Sequence, residues 1–83
     1  MTNFPSIRGS QLIKFLENIG CNIRYSIENV SVLWSVYTGD FFVVPNYKDE
    51  FLDNLAIEHI VWQLGITDEA FLSMWTRYSN SKN

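Results

Sequence analysis

The side chain in this 83-residue chain best suited to moving a proton is His59, its one histidine. RNA cleavage by attack of the 2′-hydroxyl group would need such a base near the sugar, usually with a cationic partner. The nearest basic residue in the sequence, Lys48, lies eleven residues away, and Glu58 is on a different side of the expected helix. We therefore interpret His59 as a helix-surface or partly packed residue. It remains the one weak candidate for catalysis.

Metal chemistry is suggested by the carboxylates Asp49, Glu50 and Asp53, because hard cations prefer oxygen ligands. Their spacing matches no calcium loop, however, and no glycine lies among them to form the sharp turn. We expect a solvated loop followed by a helix cap, and we predict neither a metal nor a cofactor. The single cysteine, Cys21, cannot form an internal disulfide bond or a zinc site by itself, so we expect it to be a small buried apolar group.

The aromatic content, 16%, raises the question of base stacking on an open sheet. The aromatic residues are not interleaved with Arg or Lys, so we expect most of them to form the core of this small domain. A few apolar side chains are expected to face outward, where they would suit a protein interface. This possible interface consists of Leu33, Tyr37, Tyr47 and Trp62.

Composition and charge narrow the class of protein. The chain is 47% apolar, carries a net charge of −3, and has six acids but one base in residues 48–69. This balance disfavours a broad nucleic-acid surface, although RNA is not excluded. No apolar run is long enough to cross a bilayer and no leader is visible, so we expect a cytoplasmic protein with no membrane contact. The length indicates one domain, residues 1–83, with its core at about 7–77 and a flexible tail at 79–83.

Helical spacing marks the first element. Ser10 is a suitable N-cap, and Gly20 lies where a left-handed residue would end the helix. Between them, apolar residues recur at i, i+3, i+4 and i+7, which predicts one buried helix face: Leu12, Phe15, Leu16 and Ile19.

Three strands are predicted next, separated by turns at residues 26–29 and 38–40. The middle strand alternates over residues 30–37, which is typical of a half-buried strand. We expect one set of its side chains to meet the helices, namely Val30, Val32, Trp34 and Val36. Leu33 and Tyr37 would then point outward. Pro45 lacks an amide hydrogen and should end the third strand.

Two helices complete the predicted order α-β-β-β-α-α. Asp53 or Asn54 would cap the first, Gly65 would end it, and Thr67 would cap the second. The buried stripe of the first is Ile57, Ile60, Val61 and Leu64, which leaves Trp62 off the stripe. Three antiparallel strands with helices on one face make an α+β two-layer sandwich.

The order and spacing of several short motifs resemble the HicA family of small messenger-RNA-cleaving toxins, whose fold is related to double-stranded-RNA-binding domains. The resemblance covers about residues 7–75. It is carried by the start of the first helix and its glycine stop, by a Val-Pro strand end, by a Gln-x-Gly-Ile helix end, and by an acidic-aromatic element that follows. The corresponding residues here are Arg8 to Gln11, Gly20, Val44 and Pro45, Gln63 to Ile66, and Asp68 to Phe71.

The resemblance implies an active-site histidine that this chain lacks. The family has Gly-Ser-His at the turn into its second strand, and the matching residues here are Glu28, Asn29 and Val30. The family's further histidine after Val-Pro corresponds to Tyr47. The function we expect is therefore that of a non-catalytic HicA-like interaction domain, such as a degenerate toxin-antitoxin component, with a protein partner or a homo-oligomer. The alternative is an RNA-binding or RNA-cleaving toxin with its site relocated to His59 or Tyr47.

Overall fold

The computed structural model describes residues 3–46 and 50–81, which form five strands and three helices. The strands are β1 (Ile7–Arg8), β2 (Asn22–Ile27), β3 (Val30–Ser35), β4 (Asp40–Pro45) and β5 (Phe51–Leu52). The helices are α1 (Gly9–Asn18), α2 (Asn54–Leu64) and α3 (Asp68–Ser81). Strands β2, β3 and β4 make one antiparallel sheet in that order, which confirms the predicted α+β class.

Tight turns connect the three strands of the sheet. Glu28 and Gly39 take positive φ angles of 44° and 70° in these turns. The register shifts between Ile23 and Tyr25, where a bulge interrupts the pairing of β2 with β3. Strand β4 ends at Pro45 as predicted, opposite Val30.

The prediction of which face of β3 meets the helices was wrong. Ser31, Leu33 and Ser35 are buried, whereas Val30 and Val36 are exposed. The register explains this, because Leu33 lies opposite buried Phe42 of the neighbouring strand β4, on the same side of the sheet. Leu33 therefore belongs to the core and cannot be an interface residue.

Two serines make this buried face possible. The Ser35 hydroxyl donates to the Leu64 carbonyl at 2.8 Å and accepts from the Tyr37 amide at 3.2 Å. The Ser31 hydroxyl lies 3.1 Å from the Ser26 hydroxyl. Because their polar groups are hydrogen-bonded, these small side chains are buried without leaving an unpaired donor or acceptor.

Helix α1 starts two residues earlier than predicted, with Arg8 and not Ser10 at the N-cap. The Gln11 side chain accepts from the Arg8 amide at 2.9 Å, which holds the start of the helix. A Cβ atom on Gly9 would lie 2.7 Å from the Pro45 carbonyl oxygen, so a larger residue would push α1 away from β4. Gly20 follows the helix with φ +107°, as expected of its stop.

Strands β1 and β5 were not predicted, because two residues are too few to show an alternating pattern. They pair antiparallel, with Ile7 opposite Leu52. This pairing joins the N-terminal segment to the start of α2 and buries Ile7 completely.

The caps of the last two helices agree with the sequence. Asp53 accepts from the Ala56 amide at 2.7 Å, and Thr67 accepts from the Ala70 amide at 3.1 Å. Gly65 ends α2 with φ +89°. Helix α3 continues to Ser81, so residues 79–81 are helical and not the expected flexible tail.

The core lies between the helices and the inner face of the sheet. Helix α1 contacts β2 and β4, α2 contacts β4, and α3 contacts α2. Phe15 is central, with edge-to-face ring contacts to Phe71 at 5.5 Å and Trp75 at 5.2 Å. Within residues 3–46 and 50–81, no helix has the length and apolar character that a membrane span requires.

Candidate interaction surfaces

The side of the sheet that faces away from the helices is apolar and uncovered. The register places eight apolar side chains on it, and we call this set the outer sheet face: Tyr25, Ile27, Val30, Val32, Trp34, Phe41, Val43 and Pro45. Tyr25 and Phe41 are each 54% exposed, and Ile27 is 61% exposed. Monomeric proteins seldom leave a large contiguous apolar patch in water, so this face is a candidate binding surface.

The aromatic part of the outer sheet face is held by local contacts. The Trp34 and Phe41 rings meet edge to face with centroids 5.0 Å apart. The Arg24 guanidinium lies 5.6 Å from the centre of the Trp34 ring, a cation–π contact. Of the two charged residues within β2, β3 and β4, Asp40 lies opposite the inward-facing Ser35, so Arg24 is the one that borders this face.

The resemblance to HicA proteins assigns its catalytic histidine to a position on this same face. That position is Val30, at the start of β3, between Ile27 of β2 and Pro45 of β4. These three side chains cannot transfer protons, and their effect is to extend the apolar surface. Tyr47, the other position that the resemblance points to, lies outside the described residues.

A second exposed apolar surface lies on the helical side of the molecule. Leu55, His59 and Trp62 are spaced by four and three residues, so they form a stripe along one side of α2. Leu55 is 67% exposed and Trp62 is 76% exposed. With Ala56 of α2 and Ile66 of the following turn, they line a shallow depression that we call the α2–α3 groove.

Helix α2 is therefore apolar on two sides. Its other side carries the buried stripe that the sequence predicted, namely Ile57, Ile60, Val61 and Leu64. A helix that is apolar all round is normally enclosed by protein. Here one of its sides remains open to solvent in the isolated chain.

The rim of the α2–α3 groove is acidic. Asp53, Glu58 and Asp68 line it, and neither Lys nor Arg is among its described lining residues. The Asp53 carboxylate also caps α2. This surface attracts cations and repels the phosphates of nucleic acids.

His59 lies in this groove, stacked on Trp62 with ring centroids 5.9 Å apart and an angle of 26° between the planes. The arrangement places the imidazole beside an indole and acidic side chains. RNA cleavage would instead require a cation near the phosphate, as in other phosphoryl-transfer sites. His59 thus has the geometry of a groove-lining residue.

The residues predicted for an interface do not form one surface. Trp62 is exposed as expected and Tyr37 is 45% exposed, with its hydroxyl 3.9 Å from the Met74 sulfur. Leu33 is in the core, and Tyr47 lies outside the described residues. The sequence prediction missed the outer sheet face, since none of the four predicted residues belongs to it. The run Phe41 to Val44 could have indicated this face, because alternate residues must point to opposite sides.

Cys21 and the carboxylates Glu50 and Asp53 add no reactive site in the described part of the chain, and Asp49 lies outside it. Burial raises the pKa of the Cys21 thiol, and a hydrogen bond with the Val36 backbone opposes that shift. A buried thiol with a raised pKa is a poor nucleophile and metal ligand. Among residues 3–46 and 50–81, no three His, Cys, Asp or Glu residues are grouped to hold a metal ion.

Fold and surfaces together define a small α+β domain with two exposed apolar surfaces of different charge. No family model matches the chain, and neither a curated protein nor a solved structure shows significant similarity to it. Membership of the HicA family accordingly stays a prediction from the sequence.

Proposed function

We propose that this protein acts by protein contact, as a non-catalytic HicA-like domain, and that a second copy of the chain covers its outer sheet face. The observation that carries the proposal is the uncovered sheet of eight apolar side chains. Their exposed surface adds up to roughly 500 Å² per copy, because a large aromatic side chain has about 150–250 Å² of surface to bury and several of these side chains are about half exposed.

The charge and shape of this face suit self-association. Two twisted antiparallel sheets pack face to face about 10 Å apart in β-sandwiches. Because Arg24 is the one charged residue of these strands beside the eight apolar side chains, two identical copies meet with little like-charge repulsion. About 1,000 Å² buried in total is the lower end of specific interfaces, so we expect a reversible dimer with a dissociation constant on the order of micromolar.

The absence of a family-like catalytic group supports a non-catalytic role. Val30 occupies the position of the family's histidine, and His59 lies in an acidic groove on α2. Growth arrest and RNA cleavage on expression, both abolished by His59→Ala, would instead establish a toxin with a relocated active site.

Sedimentation from about 1 µM to 1 mM tests the dimer. We expect the fraction of dimer to rise with concentration, and Val43→Glu to weaken association at least tenfold, because two copies would bury glutamates on the same face. Leu55→Glu is the matched control, since it also places a charge at an exposed apolar position but in the α2–α3 groove. Circular dichroism checks that both variants fold.

A wild-type protein that stays monomeric at 1 mM would refute the second copy as partner. If affinity purification with the outer sheet face intact also recovered no specific protein, protein contact as the function would be wrong.

RNA binding is a second candidate, favoured by the aromatic cluster. Tyr25, Trp34 and Phe41 on an open sheet, with Arg24 over Trp34, resemble a platform on which unpaired bases stack. Binding of a labelled single-stranded RNA should then be detectable at low salt and weaken as salt rises. Absence of binding at low salt removes this candidate.

A further inference from the structure

We propose that the α2–α3 groove binds a cationic amphipathic helix of a partner protein. The inference deepens the proposed function, because it names a second partner of the same interaction domain. It concerns the side of α2 that carries Leu55 and His59; at one end of this stripe, Trp62 lines a depression together with Phe41 of the outer sheet face.

The apolar stripe of the groove sets the length of the partner. Leu55 and Trp62 are seven residues apart on α2, which is about 10 Å along the helix axis, or two turns. A helix laid along this stripe would insert apolar side chains at positions i, i+3 or i+4, and i+7. A segment of about three turns is enough to cover it.

The backbone of the groove walls favours a helical partner over a strand. Leu55, His59 and Trp62 all lie within α2, where the backbone groups bond within the helix. The wall therefore offers no free strand edge along the stripe. A segment packed against it must satisfy its own backbone hydrogen bonds, which a helix does.

The charge of the rim determines the sign of the partner. Asp53, Glu58 and Asp68 surround the apolar floor, and the whole chain carries a net charge of −3. Lys or Arg residues flanking the apolar anchors would meet these carboxylates. An exposed indole can also accept a cation over its face. The Trp62 side chain offers such a face, because it is 76% exposed even though His59 stacks on it.

The direct test uses three labelled 14-residue peptides and the wild-type protein. One has Leu at the anchor positions and Lys elsewhere; the second replaces Lys by Glu; the third scrambles the first. We expect the cationic amphipathic peptide to bind at least tenfold more tightly than either control peptide, as measured by fluorescence anisotropy. Equal binding of the cationic and scrambled peptides, or tighter binding of the anionic one, would overturn the inference.

Variants then locate the binding site. We expect Trp62→Ala to lower the affinity for the cationic peptide at least tenfold, and Glu58→Gln to lower it about threefold. Both positions are on the surface of α2, and circular dichroism checks that the fold is kept. Val43→Glu on the outer sheet face should leave peptide affinity unchanged while it weakens the dimer at least tenfold.

The outcomes for the two surfaces are separable. If Val43→Glu lowers peptide affinity and Trp62→Ala does not, the peptide binds the sheet and the groove inference is wrong. If peptide binding follows the expected pattern in a protein that never dimerises, the groove inference stands and the dimer fails. If Leu55→Glu in the groove abolishes self-association and Val43→Glu does not, a second copy occupies the groove, and the proposed cationic helix is refuted.

Discussion

The outer sheet face and the α2–α3 groove are both apolar and exposed, but they differ in shape and charge. The sheet surface is built from three strands with Arg24 beside it, whereas the groove is concave and lined by Asp53, Glu58 and Asp68. Exposed apolar area makes both of them candidate binding surfaces. The difference in charge is why we propose a second copy of the chain for the sheet and a basic helix for the groove.

The two surfaces have a common origin in the size of the domain. One layer of helices covers the inner face of the sheet, and the described residues include no second layer on the other side. Strand β4 and helix α2 each carry apolar side chains on both of their sides, as Phe41 and Phe42 show on the strand. A core of this size encloses one side of each element and leaves the other side exposed.

The largest expected effect tests which side of β3 is the binding side. Leu33→Ala should lower the free energy of unfolding by about 2–5 kcal/mol, because it leaves a cavity in the core. Val32→Ala, one residue away on the outer sheet face, should lower it by about 1 kcal/mol or less. Urea denaturation of the two variants measures the difference. Equal losses of unfolding free energy in the two variants would contradict the structure, in which Leu33 is more deeply buried than Val32.

Much of the fold follows from local signals in the sequence. Gly65 ends a helix where predicted, because its backbone takes a positive φ. Thr67 caps the next helix where predicted, because its hydroxyl accepts a hydrogen bond from the Ala70 amide. These predictions succeed because capping depends on a few neighbouring residues. The order of the three strands followed for the same reason, from turn residues between alternating segments.

The orientation of the sheet could not be obtained in this way. Val30, Val32 and Trp34 are more apolar than Ser31 and Ser35, so local hydrophobicity favours burying the wrong side. The decisive contact is between Ser35 and the Leu64 carbonyl, 29 residues apart in sequence. Since this hydrogen bond exists only when α2 packs on the sheet, the alternating pattern does not contain it. The same limit hid the outer sheet face as a candidate surface.

A smaller effect is expected from salt, and it should separate the two surfaces. Raising sodium chloride from 50 mM to 1 M shortens the screening length to about 3 Å and weakens contacts between exposed charges. The cationic peptide should lose about tenfold in affinity for the groove, roughly 1.4 kcal/mol. Self-association through the neutral sheet should change by about twofold or less. Titrations at three salt concentrations measure both, and a parallel loss would show that charge governs the two surfaces alike.

The smallest expected effect concerns Arg24, the cation beside the outer sheet face. Its contact with Trp34 is exposed, so Arg24→Gln should lower the free energy of unfolding by only about 0.5–1 kcal/mol. If the face binds a second copy through its apolar side chains, the variant should dimerise within about threefold of wild type. If it binds RNA, the variant should lose affinity and the slope of log affinity against log salt should fall by about one. Sedimentation and RNA titration of this one variant therefore decide between the two partners of the sheet, because only an RNA phosphate needs the guanidinium charge.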